Sequence, residues 1–314
     1  MSAATNAAAL EVARVRPRRL GSRFRAKIRD YVALTKPEIS FLIVIVTFTG
    51  FYLGWPAADR GFPFLLLIHT LIGTVMVASG ASTLNQYLER RFDAQMRRTR
   101  RRPLACGRLQ PSGALCFGVA LSVIGAAYLG LATNRLASLL AVLTLAAYLL
   151  LYTPLKRETP LCTLAGAIPG AVPPLIGCAA ASGKLSVEAW GLYTILFLWQ
   201  FPHFMAIAWM YREDYLRAGY LVLSRGEQAG RVMSCQALVP AFVLIPVSIG
   251  LTVTTGVNPP WAAAVVGLLG AGFFQYSAGL AIRKSNAAAR RLLGASIVYL
   301  PMAHLLVVIS KCFR

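Results

Sequence analysis

Residues 63–110 read PFLLLIHTLIGTVMVASGASTLNQYLERRFDAQMRRTRRRPLACGRLQ, an apolar run that passes without interruption into a polar cluster. As a helix, the apolar part at 63–88 is long enough to cross a hydrocarbon core of ~30 Å. The polar part holds eight arginines between Asn85 and Gln110, and within it Asn85, Glu89 and Asp93 stand four residues apart. At about 100° per residue, positions i, i+4 and i+8 drift slowly around a helix, so three oxygen-bearing side chains stack along one face over roughly 12 Å. This spacing points to a metal–diphosphate site. Mg2+ binds hard oxygen ligands and bridges a few carboxylates to phosphate oxygens, while arginines neutralise the remaining phosphate charge. Acids among arginines also suit a solvated helix end. Against that stands their scarcity, 11 acidic residues to 32 basic ones, since ionisable groups beside apolar spans are costly unless they serve a site.

The whole chain shares the character of its 63–88 run. It is 57% hydrophobic and 14% charged, with a mean hydropathy of +0.61, whereas soluble domains carry about 25% charged residues. The class is a polytopic membrane protein. Spans are expected at roughly 39–56, 63–88, 112–132, 134–153, 162–182, 188–212, 235–256, 260–282 and 290–310, about nine helices in all. The fifth is expected to kink or break, because it holds Pro169, Pro173 and Pro174 with Gly166, Gly170 and Gly177. Such irregularity is tolerated where a cavity or other helices satisfy the backbone.

With the N-terminus placed in the cytoplasm, 27 of the 32 basic residues fall on the cytoplasmic side, leaving Arg60, Arg135, Lys184, Lys311 and Arg314 outside. That bias predicts an odd number of spans and puts the arginine cluster and the YREDY segment on the cytoplasmic face. A net charge of +21 does not imply nucleic acid, because the basic residues are spread over short loops with no aromatic readers. Membrane lipids and a phosphorylated substrate are the expected partners. Residues 1–30 read as a basic, disordered cytoplasmic arm of a bacterial inner-membrane protein. Glu11, Asp30 and the lack of serine enrichment argue against a transit peptide. The six cysteines show no CxxC or zinc spacing, and no Gly-rich phosphate loop or GxSxG elbow occurs.

A second polar island, WQFPHFMAIAWMYREDYLRAGY at 199–220, repeats the pattern. On a continuous helix His203 and Asp214, eleven steps apart, would share a face with His203 about 16 Å deeper, and Arg217 would lie near it. His203 is read either as a hydrogen-bonded interface histidine or as a contact to a porphyrin. His69 and His304, alone in apolar runs, are read as structural.

These motifs carry a resemblance. LTKPEIS at 34–40, the run from Asn85 to Leu104, YTPLKRETP at 152–160, PGAVPPLIG at 169–177, and WQFPHF with YREDYLRAG at 199–219 are similar to those of the UbiA superfamily of intramembrane prenyltransferases, in its heme-modifying branch. The likeness runs from Tyr31 to 314. It implies an all-α bundle of about nine transmembrane helices around a central cavity, capped by the two acidic motifs. Carried over by position, Asn85, Glu89, Asp93 and Asp214 are catalytic and hold Mg2+. Arg98, Arg102, Lys156, Arg157, His203, Tyr211 and Arg217 bind substrate. The implied reaction is transfer of a farnesyl group from farnesyl diphosphate to a vinyl carbon of heme b, with addition of water. A heme A synthase or a terminal oxidase is the implied membrane partner.

The chain departs from the family pattern at Cys162, where asparagine is usual, at Cys178, where tryptophan is common, and at Leu221-Val222, where Pro-Met is usual. The allylic cation such a reaction forms calls for an apolar or aromatic wall, for which Phe41, Phe48, Tyr87, Phe201 and Phe204 are the candidates. Two other readings stay open: a prenyltransferase for an aromatic or quinone precursor, and a membrane heme or anion carrier.

Overall fold

The structure, a computed structural model, describes residues 20–56, 61–223, 228–255 and 260–312. All regular elements among them are helices: α1 (Leu20–Thr35), α2 (Pro37–Gly54), α3 (Phe64–Asp93) and α4 (Pro111–Ala132), then α5 (Arg135–Leu155) and α6 (Cys162–Ser182). They continue with α7 (Val187–Met210), α8 (Arg212–Arg217), α9 (Gln228–Thr254), α10 (Pro260–Arg283) and α11 (Asn286–Cys312). Nine of these are long and apolar enough to cross a membrane, and the chain is a multi-pass membrane protein. Leu150, Leu268 and Ile282 point outward, as side chains facing lipid do.

Small residues set the helix crossings. A β-carbon at Gly80 of α3 would meet Ser122 and the Gly118 carbonyl of α4, and one at Gly50 of α2 would meet the Pro174 carbonyl of α6. A β-carbon at Gly177 would meet the Thr47 carbonyl in turn. Backbones this close gain packing that lipid alone does not supply.

Two packed cores result. One joins Leu192, Ile195 and Trp199 of α7 to Leu244, Phe273 and Tyr299 of α9, α10 and α11. The other gathers Phe51, Val77, Leu129 and Ile176 from α2, α3, α4 and α6. Between them lies a cavity of about 400 Å³, lined from α2, α3, α5, α6 and α7.

Three local departures shape it. α6 breaks after Gly170 and resumes at Pro173, in line with its proline content. α5 widens into a π-helical stretch at Ala147–Tyr152, which eases Pro154, whose ring would press on the carbonyl four residues back in a regular helix. α7 stops at Met210, and Tyr211 leaves helical geometry at φ −111°. The expected continuous helix from His203 to Asp214 is therefore corrected: Asp214 sits on the separate α8. Arg212 explains the stop, since its guanidinium donates to the Trp209 carbonyl at 2.9 Å and to Asn286 of α11 at 3.0 Å, capping α7.

Residues 1–19 of the expected N-terminal arm lie outside the described residues. Residues 20–30 belong to α1, and the boundary expected at 30–31 falls inside that helix. Asp30 bonds Arg108 at 3.0 Å and the Leu34 carbonyl accepts from Gln86 at 2.9 Å, tying α1 to the arginine cluster and to α3.

Candidate active site

Asn85, Glu89 and Asp93 occupy the last turns of α3 and all three line the cavity. Their exposures are 1, 7 and 1%, so their polar groups need partners inside the protein. Asn85 Nδ2 lies 3.1 Å from Thr153 Oγ1. That hydroxyl gives its own proton to the Tyr148 carbonyl at 2.8 Å, so it accepts from the asparagine amide, and Asn85 Oδ1 is left for the cavity. The π-helical stretch is what brings Tyr148 O within reach of Thr153.

Glu89 pairs with Lys156 at 2.7 Å. Asp93 accepts from Arg102 Nη1 through both oxygens, at 2.9 and 2.8 Å. Burial alone would lower the Lys156 pKa, but Tyr152 and Glu89 more than reverse this and hold it well above the ordinary lysine value. The Lys156 ammonium also sits 4.3 Å from the Tyr152 ring centroid. Two cations on two carboxylates leave a charge-balanced, rigid end to the cavity.

The second motif meets the first at this same end. Asp214 Oδ2 accepts from the Arg98 backbone N–H at 3.2 Å, and Asp214 Oδ1 from Arg217 at 3.3 Å. Arg98 Nη2 donates to the Tyr215 hydroxyl at 2.9 Å, and its guanidinium lies over the rings of Tyr211 and Tyr215 at 4.6 and 5.3 Å. Arg98, Arg102 and Lys156 line the cavity, and Asp214, Arg157, Tyr211 and Arg217 are not among its lining residues. Arg157 covers Phe92 at 4.4 Å. Asp214 thus holds the arginine loop in place over the chamber.

At the apolar depth of the cavity stands His203, stacked on Trp199 at 4.6 Å between ring centroids. Its Nδ1 lies 2.8 Å from Ser296 Oγ. The serine donates to the Leu293 carbonyl at 2.6 Å, so it accepts from Nδ1–H, and the neutral ring keeps its lone pair on Nε2. His69 bonds Tyr128 at 2.6 Å and His304 bonds the Leu300 carbonyl at 2.9 Å.

The expected aromatic wall is corrected. Of its candidates only Phe204 lines the cavity, beside Trp199, Tyr148, Tyr152 and the aliphatic Val46, Ile176 and Leu196. Phe41 points away and is 68% exposed, because it lies on the lipid side of α2. Sequence reading also passed over Lys36, which lines the cavity. It takes a left-handed conformation, φ 49°, at a strain of order 1 kcal/mol for a non-glycine residue. Pro37 at the first helical position excludes the ordinary helical geometry for the residue before it. Burial, with Arg102 and Lys156 nearby, lowers the Lys36 pKa to about 7. The TKP tripeptide carried the signal, a basic residue fixed by the proline after it.

The pattern of the UbiA prenyltransferase family matches residues 43–300. A protoheme IX farnesyltransferase of Solibacter usitatus is 44% identical over 290 residues, spanning 90% of this chain and 99% of the relative. One from Koribacter versatilis is 39% identical over 292 residues, spanning 90 and 94%. Among solved structures, a UbiA homologue from Archaeoglobus fulgidus bound to GPP and Mg2+ shares the fold with a TM-score of 0.62 at 13% identity, covering 88% of this chain and 99% of that one. The matched span runs from within α2 to within α11, and with relatives alike over nearly their whole length, the chain belongs to the UbiA prenyltransferase family.

Proposed function

We propose that the cavity joins a farnesyl group, taken from farnesyl diphosphate, to a vinyl carbon of heme b, giving heme O. The observation that carries this reading is the polarity of one chamber: a charge-balanced end built from Asn85, Glu89, Asp93, Arg102 and Lys156, and an apolar depth closed by Trp199 and His203. The names of the relatives agree with it.

Among the described residues no three His, Cys, Asp or Glu side chains converge as a protein-only metal cage. The oxygen set of Asn85 Oδ1, Glu89 and Asp93 still suits Mg2+, which takes its remaining ligands from phosphate and water. When bound, the ion neutralises charge on the diphosphate. Asp214 supports this end indirectly, through the Arg98 loop.

In this reading Arg98, Arg102, Lys156 and Lys36 bind the diphosphate oxygens. As the carbon–oxygen bond breaks, its electron pair leaves with the diphosphate, and preorganised cations in a water-poor chamber stabilise that charge better than water does. The vinyl group supplies the electron pair for the new bond, so no protein nucleophile is needed. The apolar wall delays capture of the cation by water until the carbon–carbon bond has formed. Water then adds to the vinyl-derived carbon and loses a proton, giving the hydroxyethylfarnesyl chain. His203 Nε2 is the acceptor that faces the porphyrin. The distribution of basic residues supports an inner-membrane location with this end of the bundle in the cytoplasm.

Purified protein in lipid, given heme b, farnesyl diphosphate and Mg2+, is expected to yield a heme heavier by one farnesyl group and one hydroxyl group. Unchanged heme, together with prenylation of an added phenolic acid, would overturn the reading.

A further inference from the structure

Beyond the residues so far assigned, one hydroxyl at the charged end of the chamber has no partner. Tyr220 is 3% exposed and lines the cavity. Its oxygen is fully buried and, among the described residues, makes no hydrogen bond. A buried hydroxyl left in this state costs about 1–3 kcal/mol, and native structures keep few of them without a reason. The neighbouring Tyr215 differs, since its hydroxyl accepts from Arg98 at 2.9 Å.

The ring of Tyr220 is held firmly. It packs edge-on against Phe92 at 5.9 Å and Tyr215 at 6.0 Å. Gly219, at φ +73°, makes the left-handed turn that sends the chain back after α8, a conformation glycine adopts without penalty. Tyr220 N–H donates to the Tyr215 carbonyl and Leu221 N–H to the Lys156 carbonyl, both at 2.9 Å. The phenol is thereby fixed to the segment that presents Lys156, across from α3. Burial first, and then Glu89 and Asp93, push its pKa up against the opposing effect of Lys156. Tyr220 therefore keeps its proton and is a donor.

We propose that Tyr220 is a further catalytic residue, whose hydroxyl donates a hydrogen bond to the diphosphate held between Glu89, Asp93, Lys156 and Arg102. The proposal rests on the farnesyl-transfer reading above. As the electron pair of the breaking carbon–oxygen bond moves onto the diphosphate, this hydrogen bond strengthens, and the proton stays on the phenol. The cost of the lone hydroxyl in the free protein is recovered when the anion binds, so the residue trades stability for affinity.

The test is Tyr220→Phe, which keeps the ring and its packing. In detergent, the unliganded variant is expected to be at least as heat-stable as the parent protein. Its affinity for Mg2+ with inorganic pyrophosphate, and its kcat/KM with farnesyl diphosphate, are expected to fall about 10- to 100-fold, the range for a hydrogen bond to a charged group. Unchanged pyrophosphate affinity and turnover would overturn the proposal. So would a variant that fails to fold, because a hydroxyl without a partner contributes nothing to the free protein. Asp93→Ala separates the two levels of argument. If it binds pyrophosphate like the parent, the diphosphate reading itself fails; if it loses binding while Tyr220→Phe does not, Tyr220 alone is wrongly placed.

Discussion

Lys156 Nζ stands 2.7 Å from Glu89 Oε1, joining the end of α5 to the last turns of α3 across 67 residues of sequence. The two side chains are 14 and 9% exposed, so each is committed to the other. Replacing Lys156 by Met leaves a carboxylate buried alone, at a cost of about 3–5 kcal/mol. A lowered thermal midpoint and loss of turnover are expected. Adding Glu89→Gln to it is expected to restore much of the stability and none of the activity, as a double-mutant cycle by heat denaturation and product assay will read out.

Asp93 accepts two hydrogen bonds from one arginine nitrogen. Asp93→Ala is expected to abolish product formation while the protein still inserts and purifies. Full turnover in that variant would contradict the role given to Asp93 at the charged end of the chamber.

Lys36 gives the site a pH signature. Its pKa is lowered from 10.5 to about 7, so between those values the unfolded chain binds a proton that the folded protein does not. By linkage its contribution to stability rises with pH through that window. An anionic diphosphate reverses the balance and favours the ammonium, against the positive charges of Arg102 and Lys156 and together with the negative charges of Glu89 and Asp93. Binding of Mg2+ and pyrophosphate near pH 8 is therefore expected to take up a proton, seen by calorimetry in buffers of different ionisation heat. Lys36→Met is expected to remove that uptake. Equal uptake in both proteins would exclude Lys36 as its source.

His203 separates the two substrates. His203→Leu is expected to weaken heme binding, followed by absorbance, and to leave pyrophosphate affinity within about twofold. Ser296→Ala frees the ring from its hydrogen bond at 2.8 Å and is expected to give a smaller loss, of order tenfold or less. A parallel loss of pyrophosphate binding in either variant would mean the histidine supports the whole chamber.

Gly50 and Gly177 test the fold. Each lies where a β-carbon would strike the backbone of the facing helix, Pro174 and Thr47 respectively. Gly177→Val is expected to lower the yield of folded protein in membranes and to broaden its elution in detergent. A well-folded, fully stable variant would contradict the close crossing of α2 and α6.

Much of this architecture was legible because its causes are local. Apolar length announced the spans, proline content announced the break in α6, and the four-residue spacing put Asn85, Glu89 and Asp93 on one wall of the cavity. The rest depended on contacts distant in sequence. The stop at Tyr211 carries no Gly or Pro, and it follows from Arg212 reaching Asn286 of α11. Phe41 and Phe204 are alike in type, yet one faces outward and the other faces the chamber, because α2 is nearly uniformly apolar and its pattern does not say which side is buried. Asp214 belongs with the first motif through the backbone N–H of Arg98, a donor that no side-chain motif reveals.

The reaction proposed for this chamber is farnesylation of heme b. Hemes extracted from cells lacking their own activity of this kind, with and without the chain, and weighed by mass spectrometry test it most directly. A heme heavier than heme b by one farnesyl group and one hydroxyl group, present only with the chain and absent with Asp93→Ala, is the predicted result. Heme b alone in every sample, from cells that contain the folded protein, would contradict it.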